Sequence, residues 1–302
     1  MERDYCLKFH QYLIHKKSVS KNTIDSYICD ITIYLSYLEQ QNITPINATT
    51  NTMQQYIEEL IRRKRSKSTI TRNIASLRCF YQYLIEVNEI TNNPAKGIKL
   101  EKPQKKLPHI LTGKEMELLL SQPNVLNAKG CRDRAMMELL YATGIRVSEL
   151  VALNIQDINL NTGILLCHNY KTQRFIPIYP TAIVAISDYI QQVRNQIILQ
   201  ENGENQALFI NLNGKRLTRQ GFWKIIKSYA EQAHILKEIT PHTMRHSFAL
   251  HLLENGADLK DIQAMMGHSN ISSTQIYLDL FNQHLKETYH NCHPRSNRKE
   301  SK

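Results

Sequence analysis

The sequence predicts a mainly α protein of two domains: an N-terminal four-helix bundle, then a mixed α+β, mostly helical domain with a small antiparallel sheet. Three observations carry this expectation. A chain of 302 residues exceeds what one compact core usually needs. The first hundred residues repeat apolar positions at three- and four-residue spacing, the mark of amphipathic helices. Further along, "GILLCHNYKTQRFIPI" reads instead as two short apolar strands around a turn.

In the first domain, residues 20–41 set Ile24, Tyr27, Ile28, Ile31, Leu35 and Leu38 on one helical face behind a Ser20 or Asn22 cap. Similar periodicity marks 4–16, 51–63 and 68–88, completing the bundle over residues 1–91. Residues 92–110, rich in Lys and Pro and without apolar period, read as a linker. The second domain, 111–302, opens with helical stretches at 112–121, 130–142 and 147–153, followed by the two strands. Then come a helix over 180–200, a short strand at "ALFIN", a helix over 218–234 and a helical remainder with stops at Gly256 and Gly267.

Lys and Arg number 38 against 27 Asp and Glu, a net charge of +11 that makes nucleic acid the first partner to consider. Six basic residues, Arg62, Arg63, Lys64, Arg65, Lys67 and Arg72, surround one helix-to-helix turn. With the hydroxyls of Ser66, Ser68 and Thr69 and a helix N-terminus beside them, they read as an edge that contacts a phosphate backbone. The six cysteines form no CxxC pair and read as reduced thiols. The opening "MERDYCLKFHQYL" lacks the apolar stretch of a leader, and no apolar run of about 18 residues suggests a span, so a cytoplasmic protein without a membrane partner is expected. No Gly-x-x-x-x-Gly-Lys-Ser/Thr loop points to a nucleoside triphosphate.

The stretch "HTMRH", His242 to His246, puts two histidines one helical turn apart, the spacing of a zinc helix. The fixed cation Arg245 between them opposes a dication, so no metal or other cofactor is expected. His246 and His251 read as helix-packing residues. His242 and Arg245, three apart behind Pro241, share a face at the start of a helix and offer two donors to an anion. Upstream stands "YATGIRVSEL" with Arg146 after a glycine stop; downstream stands "MMGHSNISSTQIYLDL" with His268 and Tyr277.

In this order and spacing, "ATGIRVSEL", "HTMRHSFALHLLENGADLKDIQAMMGHSNISSTQIY", the tail "CHPR" and the N-terminal "SKNTIDSYICDI" resemble the tyrosine recombinases and phage integrases, most closely the Xer-type, XerD-like branch. The resemblance covers nearly the whole chain. It implies a SAM-like core-binding bundle followed by a catalytic domain, together forming a clamp on DNA. The implied activity is site-specific recombination through a 3′-phosphotyrosyl intermediate, independent of metal and ATP. Arg146 and Arg245 then clamp the phosphate, His242 and His268 are the active-site histidines, Lys171 is the hairpin lysine, and Tyr277 is the nucleophile. Guanidinium groups on the non-bridging oxygens would stabilise the crowded transition state without a metal. His242 would take the phenolic proton, His268 would contact a phosphoryl oxygen, and Lys171 would protonate the departing 5′ oxygen. Glu149 either orients one of these groups or serves as a cap.

One block departs from the branch. Where the branch has Gly-Lys-Gly-Asn-Lys-x-Arg, this hairpin reads "CHNYKTQRFIP" and carries one lysine, Lys171. Arg174, just after the turn, is expected on the DNA backbone. The resemblance also sets the helix of "TRQGFWKIIKSYAEQA" against a major groove, with Arg219, Gln220, Lys224 and Lys227 as readers. The tail beyond Tyr277, with Leu278, Leu280, Phe281 and Leu285, would be exchanged between protomers, and residues 294–302 would be disordered when free. The implied partners are a double-stranded recombination site and the other protomers of a homotetramer, or of a heterotetramer with a paralogous recombinase. An accessory or translocase activator is left open, as is the choice between chromosome-dimer resolution and integration or excision of a mobile element. Two alternatives differ in class: a type IB topoisomerase-like nicking and closing enzyme, and an inactive architectural DNA-binding protein.

Overall fold

The computed structural model describes residues 2–17, 19–98, 109–168, 173–200, 205–268 and 274–292. The chain divides into two compact units, Met1–Lys105 and Lys106–Lys302.

The first unit holds four α-helices: α1 (Glu2–His15), α2 (Lys21–Gln40), α3 (Thr50–Arg62) and α4 (Lys67–Glu86). Each of the last three starts where a hydroxyl replaces a missing intrahelical acceptor. Ser20 accepts from Thr23 N, Thr49 and Thr52 form a reciprocal capping box, and Ser66 accepts from Thr69 N. The apolar stripes meet in one core that includes Phe9, Leu13, Ile31, Leu35, Met53, Leu77, Phe80 and Leu84. Buried phenols in that core are satisfied in a chain. Tyr81 donates to Pro45 O at 3.3 Å, so Tyr34 donates to Tyr81 across 2.7 Å. Arg78 binds the carbonyls of Ala95 and Ile98, and both residues are buried, so the segment after Asn93 begins packed on α4.

A buried carboxylate sits between α2 and α4. Asp30, its side chain 2% exposed, accepts from Arg72 Nη2 at 2.7 Å and Nε at 3.0 Å, and from Asn73 Nδ2 at 2.9 Å. Arg72, expected on DNA, pairs with this buried carboxylate, which would be costly to bury unpaired, while 46% of its own side chain stays exposed.

The second unit opens with α5 (Gly113–Ser121), α6 (Ala128–Thr143) and α7 (Val147–Ala152). Helix α6 is buried on most sides, from Cys131 through Met136, Leu139 and Leu140, and is its central strut. A three-stranded antiparallel sheet follows in the order β1 (Ile158–Asn159), β2 (Ile164–His168), β3 (Gln173–Pro177). The sequence indicated the hairpin of β2 and β3 but not the two-residue β1, too short to show alternation. Leu165 faces Ile176 and Cys167 faces Arg174 in the register, with Leu165, Cys167 and Ile176 buried. The turn between these strands, and Lys171 with it, lies outside the described residues.

The helix expected over 180–200 is α8 (Pro180–Asp188) and α9 (Asn195–Gln200), joined by a π-helical turn over Tyr189–Arg194. That turn rotates Arg194 inward, where it caps the carbonyls of Ala207 and Asn205. "ALFIN" forms only isolated bridges, Asn154 with Ala207 and Ile210 with Arg216, so the strand expected there is a pair of single contacts. The remaining helices are α10 (Arg219–Gln232), α11 (Pro241–Glu254), α12 (Leu259–Met266) and α13 (Gln275–Cys292). Residues 294–302, expected to be disordered, lie outside the described residues. Among the described residues no helix is long and apolar enough to cross a membrane.

Replacing Asp30 with Ala should destabilise the first unit by about 2 kcal/mol, since it removes an acceptor from buried Asn73 and Ser76 and releases the half-exposed Arg72. Hydrogen exchange read by mass spectrometry should accelerate in α2 and α4 and stay unchanged in α6; unchanged α2 and α4 would contradict the role given to the pair.

Candidate active site

The site is assembled around two glycines that end helices. Gly144 terminates α6 in the left-handed region (φ 57°), and Gly267 terminates α12 in the same way (φ 63°). Both turns expose carbonyls that guanidinium groups then bind. Arg245, on α11 and 4% exposed, donates to Gly144 O, to Met266 O at 2.8 Å and to His268 Nε2 at 2.9 Å. Arg146, just after the first glycine, donates to Gly267 O at 3.4 Å with 34% of its side chain exposed, so it keeps donors for an incoming anion. Burial foremost, then the charge of Arg146, lowers Arg245 to about 10, which leaves it cationic at neutral pH.

Glu149 holds the cations together. Its carboxylate accepts from Arg146 N at 2.7 Å, closing the cap of α7, and from Arg174 at 2.8 and 3.1 Å; Arg146 Nη1 is at 3.4 Å. Burial pushes its pKa up, but the bonds from Arg174 and the Arg146 amide, with both cations, hold it below the usual carboxylate range. Both readings of Glu149 are therefore realised at once, as cap and as orienting acid.

Arg174 corrects an expectation. It was assigned to the DNA backbone, yet its side chain is 9% exposed and bound to Glu149 and, at 2.8 Å, to Met265 O. The reason is strand alternation: Arg174 lies two residues before buried Ile176 and opposite buried Cys167, so it shares their inward face.

The aromatic half of the site is equally engaged. An arginine only donates, so His268 Nε2 accepts from Arg245, and His268 Nδ1 carries the proton that goes to Thr274 Oγ1 at 2.9 Å. The Tyr277 ring, in the first turn of α13, is 1% exposed and stacks on His268 at 6.5 Å and 9°. Its hydroxyl lies 2.9 Å from His246 Nδ1. His246, expected to be a packing residue, is thus the direct partner of the phenol. The signal was present in its four-residue spacing from His242, whose ring is 6.4 Å away. His251 does behave as a satisfied packing residue, between Tyr141 Oη and Leu111 O.

Burial raises Tyr277 to about 12, against the opposing charges of Arg245 and Arg146. Burial also lowers His246 and His268 to about 4, helped at His246 by His242 and Arg245, and at His268 by Arg245 and Arg146. His242 stands exposed at the start of α11; partial desolvation, then Arg245, Arg219 and Arg146, lower its pKa. The structure therefore brings Arg146, His242, Arg245, His268 and Tyr277 into one cluster of two guanidinium groups, a phenol and imidazoles whose pKa values are lowered. Such a cluster can hold a phosphate and set a phenol beside it.

The remaining sequence candidates lie elsewhere. Arg62 and Arg63 pair with Glu59, and Ser66 and Thr69 spend their hydroxyls on each other at 2.8 Å while capping α4. Lys64, Arg65 and Lys67 are exposed, with Lys64 at a left-handed turn (φ 55°). Arg219, Gln220, Lys224 and Lys227 are exposed on α10.

Comparison with known proteins gives a consistent result. The Phage integrase family matches residues 109–284, and the Phage integrase N-terminal SAM-like domain matches residues 7–88. The chain is 42% identical over 292 residues to "Tyrosine recombinase XerD" of Oceanobacillus iheyensis, covering 95% of this chain and 97% of that one. It is 41% identical to the protein of the same name from Staphylococcus haemolyticus, covering 96% and 97%. Among solved structures, XerA recombinase is similar at a TM-score of 0.54 and 26% identity, over 98% of this chain and 100% of that one. XerH bound to palindromic difH substrate in a post-cleavage complex is similar at a TM-score of 0.75 and 22% identity, over 88% and 79%.

A histidine held at about 4 has its unfolded value near 6.5. Between those values the unfolded chain binds protons that the folded chain refuses, so this contribution to stability is intact above pH 6.5 and is lost as pH falls toward 4. Side-chain NMR should show His246 and His268 titrating with midpoints below pH 5; a midpoint near 6.5 at either would mean that its ring faces water.

Proposed function

Because this chain belongs to the phage integrase family of tyrosine recombinases, we propose that the cluster around Gly267 cuts and rejoins DNA through a covalent bond between Tyr277 and a 3′ phosphate. The observation that carries this reading is the placement of the Tyr277 phenol against His268 and His246, beside the Arg245 and Arg146 cations.

A duplex phosphate enters at Arg146, the more exposed guanidinium, and then competes for the donors that Arg245 gives to His268. Two guanidinium groups on the non-bridging oxygens neutralise charge as the phosphorus becomes pentavalent. Tyr277 leaves His246 to attack; the phenolic proton passes to His242, and the 3′ phosphate becomes a phosphotyrosyl ester. His268, released from Arg245, takes its Nε2–H tautomer while Thr274 Oγ1 donates to Nδ1, so that Nε2 donates to a phosphoryl oxygen, and Lys171 protonates the departing 5′ oxygen. The ester retains the energy of the broken bond, so a 5′ hydroxyl of another strand attacks it and restores tyrosine without a nucleotide cofactor.

The two units then act as a core-binding lobe and a catalytic lobe on double-stranded DNA. Lys64, Arg65 and Lys67, with Arg62 and Arg63 once they exchange Glu59 for phosphate, serve the first; Arg219, Gln220, Lys224 and Lys227 serve the second. Strand exchange needs four protomers on two duplexes, identical or paired with a paralogous recombinase, with the segment beyond Tyr277 passing between neighbours. The similarity to XerD proteins favours resolution of chromosome dimers over movement of a mobile element.

Incubated in EDTA with nicked duplexes carrying genomic DNA recovered from its own adducts, the protein should form an SDS-resistant complex, and Tyr277→Phe should form none. Persistence of the complex in that variant would refute the nucleophile. Arg245→Lys should keep duplex affinity within about threefold while lowering cleavage by at least about 100-fold; equal losses in both would assign the arginine to binding.

A further inference from the structure

Trp223 is the chain's single tryptophan, and 43% of it is exposed. It lies on α10, whose inner side buries Phe222, Ile226, Tyr229 and Ala230. The outer side carries Arg219, Gln220, Trp223, Lys224 and Lys227, spaced by one helical turn or by one residue. The exposed part of the indole, set among polar side chains, leaves apolar ring area that a bound partner can cover. Lys227 Nζ stands over the ring, 5.7 Å from its centroid.

The surroundings select the partner. Cations ring the indole on a chain of net charge +11, so a second copy of this chain would meet like charge, whereas a polyphosphate would be drawn in. The helix is also tied to the reaction site: α10, which begins at Arg219, packs on α7, whose cap is Arg146, and Arg216 just before it donates to Val151 O and Leu153 O. Trp223 is one turn further on, about 6 Å along the axis, so a duplex with its phosphate at Arg146 and Arg245 passes over this face. A helix fits only the major groove of B-DNA, and the apolar group that base edges present there is the thymine C5-methyl.

We propose that Trp223 is a specificity-determining residue that packs its indole on a thymine methyl in the major groove, next to the scissile phosphate. This rests on the DNA-cleaving reading above and adds the base class to it. Arg219, Gln220 and Lys224 bond to edges and phosphates around it, while the indole supplies an apolar contact that those side chains cannot.

The test is selection from a randomised duplex pool by the full-length protein and by Trp223→Ala, with a second pool in which deoxyuridine replaces thymidine. The wild type should enrich a site with a dominant thymine at one position or two adjacent ones, preferred about tenfold over other bases. That preference should vanish for the wild type in the uridine pool, which removes the methyl and leaves the protein intact. It should vanish for Trp223→Ala in the thymidine pool while other positions stay enriched; Trp223→Phe, which keeps an apolar ring, should retain part of it. An equal thymine preference in wild type and Trp223→Ala, or no response to uridine, would overturn the assignment while leaving the DNA reading in place. Failure of the wild type to enrich any sequence would overturn both.

Discussion

The carboxylate of Glu149 is the constraint on which the catalytic cluster depends. Three guanidinium groups, of Arg146, Arg174 and Arg245, converge around the end of α12, and without a counter-charge their repulsion would force at least one back to water. Glu149 binds two of them directly and caps α7 through the Arg146 amide, so one side chain fixes both the backbone and the charge of the pocket. A buried ion pair adds little net stability, but an unpaired cation at this depth would be strongly unfavourable. The pair therefore decides where the arginines point more than how firmly the unit folds.

The resting site is satisfied from within. Three groups needed for phosphate chemistry have protein partners: Arg245 on two carbonyls and His268, His268 on Thr274, Tyr277 on His246. This closure keeps a buried phenol and the imidazoles of His246 and His268 uncharged at neutral pH, and it sets the order of events. Substrate oxygens must outcompete internal acceptors before the tyrosine gains a reason to leave. Arg146, with long contacts and a third of its side chain in solvent, is where that competition begins.

Most of the architecture could be read from residue spacing, because helical periodicity and hydroxyl caps are local signals. The bundle of α1 to α4 and the start of α10 at Thr218 follow from them directly. What escaped was non-local. The strand β1 consists of two residues held only by β2, and the π-helical turn at Tyr189–Arg194 answers to carbonyls more than ten residues away. In the site, one-turn spacing singled out His242 and Arg245 and the family resemblance added Arg146, His268 and Tyr277, whereas the partner of the phenol, His246, was a choice between two rings on one helix that only the position of α13 decides. The inward course of Arg174 was legible in principle, since alternation with Ile176 already assigned its face. Arg72 had no such clue, because Asp30 is 42 residues away in the chain.

The end of α6 has a further implication for how this sequence can drift. A methyl group at residue 144 would lie 2.2 Å from the Phe248 ring, in a backbone conformation that already disfavours any side chain. Phe248 stands three residues after Arg245 on α11, so the ring that fills the gap and the guanidinium that takes the Gly144 carbonyl travel on one rigid rod. Bulk gained at 144 could be accommodated only by trimming 248, and the void so created would let the rod shift. Mutational tolerance at these two distant positions is thus coupled through chemistry that neither residue performs.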